Sequence, residues 1–323
     1  MNKIAVAILN WNGRSLLERY LTSVVEFSTE ASIYVIDNAS TDESVNYLKT
    51  NFPQVKLISL EENYGFAKGY NEGLKHIEEE YIVLLNSDVR VTENWLKGLK
   101  NRLTSNEKIV AVQPKIKSDQ QPTHFEYAGA AGGFLDWFAY PYCRGRIRNK
   151  VEEDKEQYNT ATPIFWGSGA CLAVKKSAFK IAGGFDEDYF AHMEEIDLCW
   201  RWNAQGNEVW YEPTSEVFHL GGGSLANSSP KKTFLNFRNS LYNLVKNAPS
   251  KNIYLHLFLR MILDGIIGIV YLLQLKPKHF IAVLQAHFSF YANAKKMFQK
   301  RFIPNKKLKY YACFSVLLKK HEA

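Results

Sequence analysis

Tyr81-Ile82-Val83-Leu84-Leu85, followed by Asn86-Ser87-Asp88, is a short apolar strand that runs out into an acid. Ser32-Ile33-Tyr34-Val35-Ile36, followed by Asp37, repeats the arrangement earlier in the chain. In an open α/β sheet, ligands bind in the crevice beyond the carboxyl ends of the strands. Two carboxylates delivered to that crevice suggest two tasks. One accepts hydrogen bonds from a neutral ring. The other holds a hard divalent cation against a diphosphate.

Around these two runs, apolar stretches alternate with helical ones. Strand-like runs fall at 4–9, 33–36, 55–60, 81–85 and 109–112, with helical stretches near 14–27, 42–51, 66–80 and 92–105. Ser40-Thr41-Asp42-Glu43 reads as a capping box opening the second helix. This alternation predicts an α/β fold of βαβ units around a mostly parallel central sheet. From 116 to 165 the pattern breaks. Gly129-Ala130-Ala131-Gly132-Gly133 and the cations Arg144, Arg146 and Arg148 lie there in irregular sequence, as in a lid or a substrate-binding insertion. Order returns with a strand over 169–174 and a helix over 194–205. Beyond 225 the chain reads as helical and strongly apolar. The expected organisation is a nucleotide-sugar-binding and catalytic domain over 1–225 and a helical, membrane-associating region over 226–323.

The 323 residues, 46% hydrophobic and 23% charged, exclude a disordered chain. Cys143, Cys171, Cys199 and Cys313 form no CxxC pair, which argues against a zinc site or a disulfide framework and for a reducing cytosol. The net charge of +7 is uneven. Residues 276–323 carry eleven Lys or Arg against one acid, for +10, and the rest of the chain is at −3. A basic tail on a mildly acidic body points to an anionic partner for the tail.

Five constellations bear chemistry. Asn10-Trp11-Asn12-Gly13 after the first strand and Asp37-Asn38-Ala39-Ser40 after the second can wrap a nucleobase and its ribose, and they also read as turn and cap residues. With one glycine, the first loop lacks the G-x-G-x-x-G of a dinucleotide site. In Asn63-Tyr64-Gly65-Phe66-Ala67-Lys68-Gly69-Tyr70-Asn71-Glu72-Gly73, Gly65 and its neighbouring amides suit an anion. Gly69 and Gly73 read as close helix-on-sheet packing. Asn86-Ser87-Asp88 needs little more than diphosphate oxygens to hold a cation. Glu194 and Glu195 open a helix in which Asp197 and Arg201 form an i, i+4 pair, leaving two carboxylates, either able to serve as general base for a sugar hydroxyl. His219, before Gly221-Gly222-Gly223, is a candidate second metal ligand, and Arg238-Asn239 could hold a phosphate.

In this order and spacing the strings resemble family 2 glycosyltransferases of the GT-A fold, in the bacterial branch that contains rhamnosyltransferases. The resemblance spans about residues 3–245. It rests on 6–13, 35–40, 62–67, 84–89, 167–170, 183–187, 194–201 and His219. It implies an inverting, metal-dependent transferase acting on a nucleotide-sugar, dTDP-rhamnose or a UDP-sugar. The acceptor would be a hydroxyl of a glycan or lipid-linked sugar in cell-surface polysaccharide synthesis. By that resemblance Asp37 contacts the pyrimidine base, with Asn10, Asn38, Ser40, Asn63, Gly65, Asn71, Ser87 and Arg238 around the donor. Asp88 and His219 hold Mg²⁺ or Mn²⁺, and Glu195 falls on the usual base position, with Glu194 beside it. The chain departs from the family pattern at Asn86, where a first metal-motif acid is usual, and at Glu195, one methylene longer than the usual Asp. Gly167-Ser168-Gly169 and the 116–165 stretch are expected to border the acceptor, with Trp166 stacking on sugar.

The tail carries a separate expectation. Residues 253–275 form a helix long enough to cross a bilayer, interrupted by a stripe of His256, Arg260, Asp264 and Gly268. Arg and Asp near its middle disfavour spanning by about 2.5–3.5 kcal/mol each. The expectation is peripheral attachment of residues 253–323 to the anionic cytoplasmic face of the membrane. A buried hairpin or homodimer interface is the competing reading. Two rival functions are weaker. A nucleotidyltransferase wants a basic phosphate loop after the first strand, and none is present. A nucleic-acid-binding tail wants exposed aromatics among its bases, for which Tyr310, Tyr311 and Phe314 are the candidates. No nucleic-acid partner is expected.

Overall fold

The computed structural model describes residues 3–147, 150–221, 229–301 and 308–317. Arg148 of the basic cluster and Gly222 and Gly223 after His219 lie outside them. In the first part strands and helices alternate: β1 (Ile4–Asn10), α1 (Arg14–Glu26), β2 (Ser32–Asp37), α2 (Ser44–Asn51), β3 (Lys56–Ser59), α3 (Gly65–Gly73) and β4 (Tyr81–Asn86). β3, β2, β1 and β4 lie side by side and pair in parallel. Residues 4–8 and 82–85 are buried without alternation, because helices cover both faces of the sheet. α1 covers one face with Leu17, Tyr20, Leu21 and Val24, at i, i+3, i+4 and i+7.

The chain continues through β5 (Val89–Val91), α4 (Trp95–Ser105) and β6 (Ile109–Ser118). β7 (Gly133–Leu135), β8 (Pro141–Cys143), β9 (Arg146–Ile147) and β10 (Lys150–Val151) form a small antiparallel sheet. β11 (Thr162–Ile164), β12 (Cys171–Lys175), α5 (Lys176–Ile181), α6 (Glu194–Ala204) and β13 (Glu208–His219) follow. The main sheet runs β11-β13-β6-β12-β4-β1-β2-β3, with β5 on the end of β13. β12 is antiparallel to β4 and β6, and β11 and β5 are antiparallel to β13, so the sheet is parallel at the β3–β4 end and mixed beyond it.

Three local differences from the sequence reading have physical causes. Helix α2 starts at Ser44, after an Asx turn in which Ser44 N–H donates to Asp42 Oδ1 at 3.0 Å, while the Ser40 hydroxyl faces Asn10 and Asn12. Helix α3 ends at Gly73 and passes through one 3₁₀ turn, so it is shorter than 66–80. A Cβ on Gly73 would stand 2.4 Å from the Ile36 side chain, the close approach expected of this glycine. Among the described residues of 116–165, β6 runs on to Ser118, and strands of two or three residues, too short to show a period, follow among turns. Trp166 is part of this core. Its ring lies over Gly133 and its Nε1–H donates to Phe134 O at 2.9 Å, so it is not free to stack on a sugar.

α7 (Pro230–Asn247), α8 (Ile253–Leu273) and α9 (Pro277–Gln299) close the fold. α8 turns its polar stripe inward. His256 stacks on Trp137, Arg260 donates to Phe138 O at 2.8 Å and to Asp264 Oδ1 at 3.0 Å, and the Tyr140 hydroxyl donates to Asp264 at 2.6 Å. The opposite face leaves Tyr254, Phe258, Ile262, Ile266, Ile269 and Leu273 exposed. Part of the tail's positive charge is engaged within the fold: Lys296 and Lys300 pair with Asp186 and Asp188, and Arg301 donates to the carbonyls of Val245 and Ala248. Tyr310 is buried against Trp200 and Phe314 stacks on Trp137.

Candidate active site

Strand register builds the first wall. Asn10 and Asp37 are partners at the carboxyl ends of β1 and β2. Asn10 Nδ2 donates to Asp37 Oδ1 at 3.0 Å, and Ser40 N–H donates to Asp37 Oδ2 at 3.0 Å. Hydrogen bonds to a charged acceptor contribute about 1.5–3 kcal/mol each, so Asp37 is firmly aimed. Ser40 Oγ also takes the amide of Asn12 at 2.9 Å. Asn38 ties this loop to α3: its Nδ2 donates to Asn63 Oδ1 and Gly65 O, both at 3.0 Å, and its Oδ1 accepts from Tyr64 N–H. Asn10 Oδ1 remains buried without a partner. Ser87 Oγ lies against the same corner, 3.7 Å from where a Gly13 Cβ would stand.

The second wall comes from β4 and β13. β4 ends in the turn Ser87-Asp88, and β5 then pairs antiparallel with the end of β13, setting His219 opposite Val89. That register brings His219 Nε2 to 3.1 Å from Asp88 Oδ1, both side chains buried. The other ring nitrogen, Nδ1, lies 3.5 Å from Glu126 Oε1. Burial pushes the His219 imidazole down, but Glu126 and Asp88 outweigh it and hold the pKa up at about 10. Asp88 and His219 could act as donors to a divalent cation, with Glu126 behind the imidazole to orient the ring, and the ring nitrogen that ligates would have to shed its proton. The residues therefore fit the expected Mg²⁺ or Mn²⁺, with diphosphate oxygens completing the coordination. Among the described residues no three or more His, Cys, Asp or Glu form a ready-made cage.

The third element is the start of α6. Glu194 is buried and Glu195 partly so, and each keeps one carboxylate oxygen buried without a hydrogen-bond partner. Burial, then the neighbouring Glu195 charge, drives Glu194 far above the usual carboxylate range. Burial lifts Glu195 to about 7, against the helix amides and Lys232. Lys232, on the first turn of α7, lies within electrostatic range of Glu126, Asp88 and Glu195. Burial lowers this ammonium and the three carboxylates oppose that shift. His192, beside it, is held neutral, its pKa lowered to about 4 by burial and Lys232.

Two expected donor contacts are engaged elsewhere. Asn71 clamps residue 185, its Nδ2 donating to Phe185 O at 2.9 Å and its Oδ1 accepting from Phe185 N–H at 3.0 Å. Arg238 donates to Asn239 Oδ1 and to Tyr189 O. Gly65, at φ +73°, packs against Phe190, and the following amides of Phe66 and Ala67 donate to Phe190 O. Ser168 is buried against Gln113 and Ala128. Glu126 and Lys232 went unnoticed in the sequence. Glu126 stands in a stretch with no readable period, and Lys232 is one of many lysines in the chain.

Residues 5–181, more than half of the chain, match "Glycosyl transferase family 2". The N-acetylglucosaminyl-diphospho-decaprenol L-rhamnosyltransferase of Mycobacterium tuberculosis is 27% identical over 225 residues, covering 63% of this chain and 71% of the relative. The dTDP-rhamnosyl transferase RfbF of Shigella flexneri is 24% identical over 229 residues, 67% of this chain and 71% of the relative. Among solved structures, GalNAc-T7 with UDP, GalNAc and Mn²⁺ superposes with a TM-score of 0.58 at 19% identity, over 76% of this chain and 48% of that one. The chain thus spans about half the length of GalNAc-T7. The mannosyltransferase PcManGT of Pyrobaculum calidifontis, with GDP-Man and Mn²⁺, gives 0.53 at 14% identity, over 93% of this chain and 88% of that one. Likeness at such identity establishes the GT-A fold.

Proposed function

The chain belongs to glycosyl transferase family 2, in its rhamnosyltransferase-like branch, and we propose that it is an inverting, metal-dependent transferase that moves rhamnose from dTDP-rhamnose to a hydroxyl of a glycan or lipid-linked sugar. A UDP-sugar is the alternative donor. The observation that carries this reading is the approach of Asp88 to His219 at 3.1 Å, with Lys232 in electrostatic range of Asp88 and Glu195. The names of the relatives support rhamnose and a lipid-linked acceptor. Asp37, aimed by Asn10 and Ser40, would accept from the pyrimidine ring. Asp88 and His219 would hold the cation, which when bound neutralises charge on the leaving diphosphate. Glu195 takes the proton of the acceptor hydroxyl. The hydroxyl oxygen bonds to the anomeric carbon as the bond to the diphosphate breaks, so configuration inverts in one displacement. Thermal unfolding with nucleotide-sugars, with and without Mn²⁺, tests the donor. At one hundred times Kd a bound donor stabilises by about 2.7 kcal/mol. dTDP-rhamnose with Mn²⁺ should raise the melting temperature most, and protection by no nucleotide-sugar would contradict the reading.

We also propose that the chain works in polysaccharide synthesis at the cytoplasmic face of the membrane, attached peripherally through residues 253–323. The support is an α8 of 21 residues with mean hydropathy 1.8 whose charged stripe turns onto the protein while its apolar face turns out. A face of that kind, extended by Phe288 and Tyr291 of α9, suits the interfacial layer of a bilayer, and each free lysine near anionic lipid adds about 1 kcal/mol. A homodimer would cover the same face. Anionic vesicles should bind the full chain at low salt, and part of the binding should survive high salt. A stable dimer that ignores vesicles would contradict the membrane reading.

A further inference from the structure

Asn239 is fully buried in the middle of α7, facing the segment that leads into Glu194 and Glu195. Its Nδ2 meets the carbonyl oxygens of Tyr189, Ala191 and His192 at 3.1, 2.9 and 2.7 Å. A carbonyl only accepts, so the amide nitrogen must face these three oxygens. Arg238 Nε, 2.9 Å from Asn239 Oδ1, fixes the same orientation from behind. The segment needs such a hold. Phe190 has φ +62° and ψ −59°, a γ-turn in which Ala191 N–H donates to Tyr189 O at 2.7 Å. This hand of γ-turn is rare and strained. His192 and Met193 follow at φ +68° and +73°, where non-glycine residues persist only if their surroundings over-determine them. Asn243, one turn along α7, adds a bond to Met193 O at 3.2 Å. The same segment reaches the donor side, because Phe190 O accepts from Phe66 N–H at 2.8 Å at the start of α3.

We propose that Asn239 is a positioning residue for transfer: by gathering the carbonyls of residues 189–192 it sets the direction in which Glu195 meets the acceptor hydroxyl. The inference rests on Glu195 being the base. A residue that only supported the fold would lower the melting temperature and leave turnover per folded site, and its pH dependence, unchanged.

The test uses the full chain with Asn239→Ala and Asn239→Asp, the second keeping the volume and, once ionised, offering no donor. Calorimetric donor binding counts folded sites in each. Turnover per site should fall by about 10- to 100-fold, the scale of a small misplacement of a reacting group. Donor Kd should stay within about twofold, and the acid limb of the pH–rate profile should move. In a Glu195→Gln background, adding Asn239→Ala should cost less than about threefold, because coupled residues are not additive. Unchanged turnover per site in both variants, with Glu195→Gln impaired, overturns the proposal alone. A full additional loss in the Glu195→Gln background also overturns it. Wild-type turnover of Glu195→Gln by itself sinks the base assignment, and the proposal with it.

Discussion

Asp37 and Glu195 stand in opposite kinds of surroundings. Asp37 stands at a strand end in plain parallel register, with both oxygens hydrogen-bonded. Glu195 follows three non-glycine residues at positive φ and keeps an oxygen buried without a partner. The contrast matches the two proposed roles. A carboxylate held by two donors is a fixed acceptor for a neutral ring. One with a single oxygen left unpartnered, lifted by burial to about 7 against the helix amides, suits a proton acceptor near neutral pH. The scaffolds differ as well. Sheet register and the loop hydrogen bonds of Asn10 and Ser40 aim the first wall, whereas polar side chains of α7 hold the second region from behind.

The largest effect should come where the two regions meet. Asp88→Ala removes one of the two proposed ligands of the cation, and a lost charge stabilisation of about 4 kcal/mol corresponds to about 10³-fold in kcat/KM. Donor binding should also lose its response to Mn²⁺. Wild-type turnover at saturating Mn²⁺ would break the metal assignment.

Next in size is the support behind the base. Lys246 Nζ lies 2.6 Å from Asp186 and 2.7 Å from Asp197, all nearly inaccessible to solvent. Asp197 is itself buried, and Lys246 and Arg201 outweigh that burial to hold it well below the usual carboxylate range. Lys246→Ala removes one of the two cations on Asp197, Arg201 remaining at 2.9 Å, and should lower unfolding free energy by about 1.5–3 kcal/mol. A depressed carboxylate stabilises above its unfolded pKa and loses that contribution as pH falls through its folded one. The gap between wild type and variant in urea titrations should therefore be full at neutral pH and shrink below about pH 4. A gap that persists in acid would show that the pair is not its source.

The smallest effect belongs to the fixed acceptor. Asp37→Ala should weaken UDP and dTDP binding by about tenfold each, near 1.4 kcal/mol, whatever sugar is attached. Calorimetry with both nucleotides checks this. Unchanged affinity for both would leave Asp37 a loop-holding residue.

The same contrast explains what could be read from the chain beforehand. Residues 4–9, 33–36 and 81–85 announce buried strands because an apolar run needs no partner to be recognised, and an acid at the end of such a run falls at the crevice by topology. Asp88 and His219 were both visible as candidates, but their contact depends on β5 pairing with β13, a long-range register that local pattern does not encode. Glu126 was missed for the same reason: a lone acid among two- and three-residue strands acquires meaning only when His219 arrives beside it. Arg238-Asn239 suits a phosphate by its chemistry, and only the fold shows the three backbone carbonyls that face Asn239 Nδ2. Sequence also identified the polar stripe of α8, but not that the stripe packs on Trp137, Phe138 and Tyr140.

The central claim is that Glu195 moves the proton, and the pH dependence of turnover tests it most directly. With donor and acceptor saturating, wild-type kcat should rise tenfold per pH unit below about pH 7 and level off above it. Glu195→Gln should lose about 10²-fold or more on the plateau and show no such limb, while Glu194→Gln keeps it. A Glu195→Gln variant that retains the limb, with Glu194→Gln abolishing it, would contradict the account and move the base to Glu194.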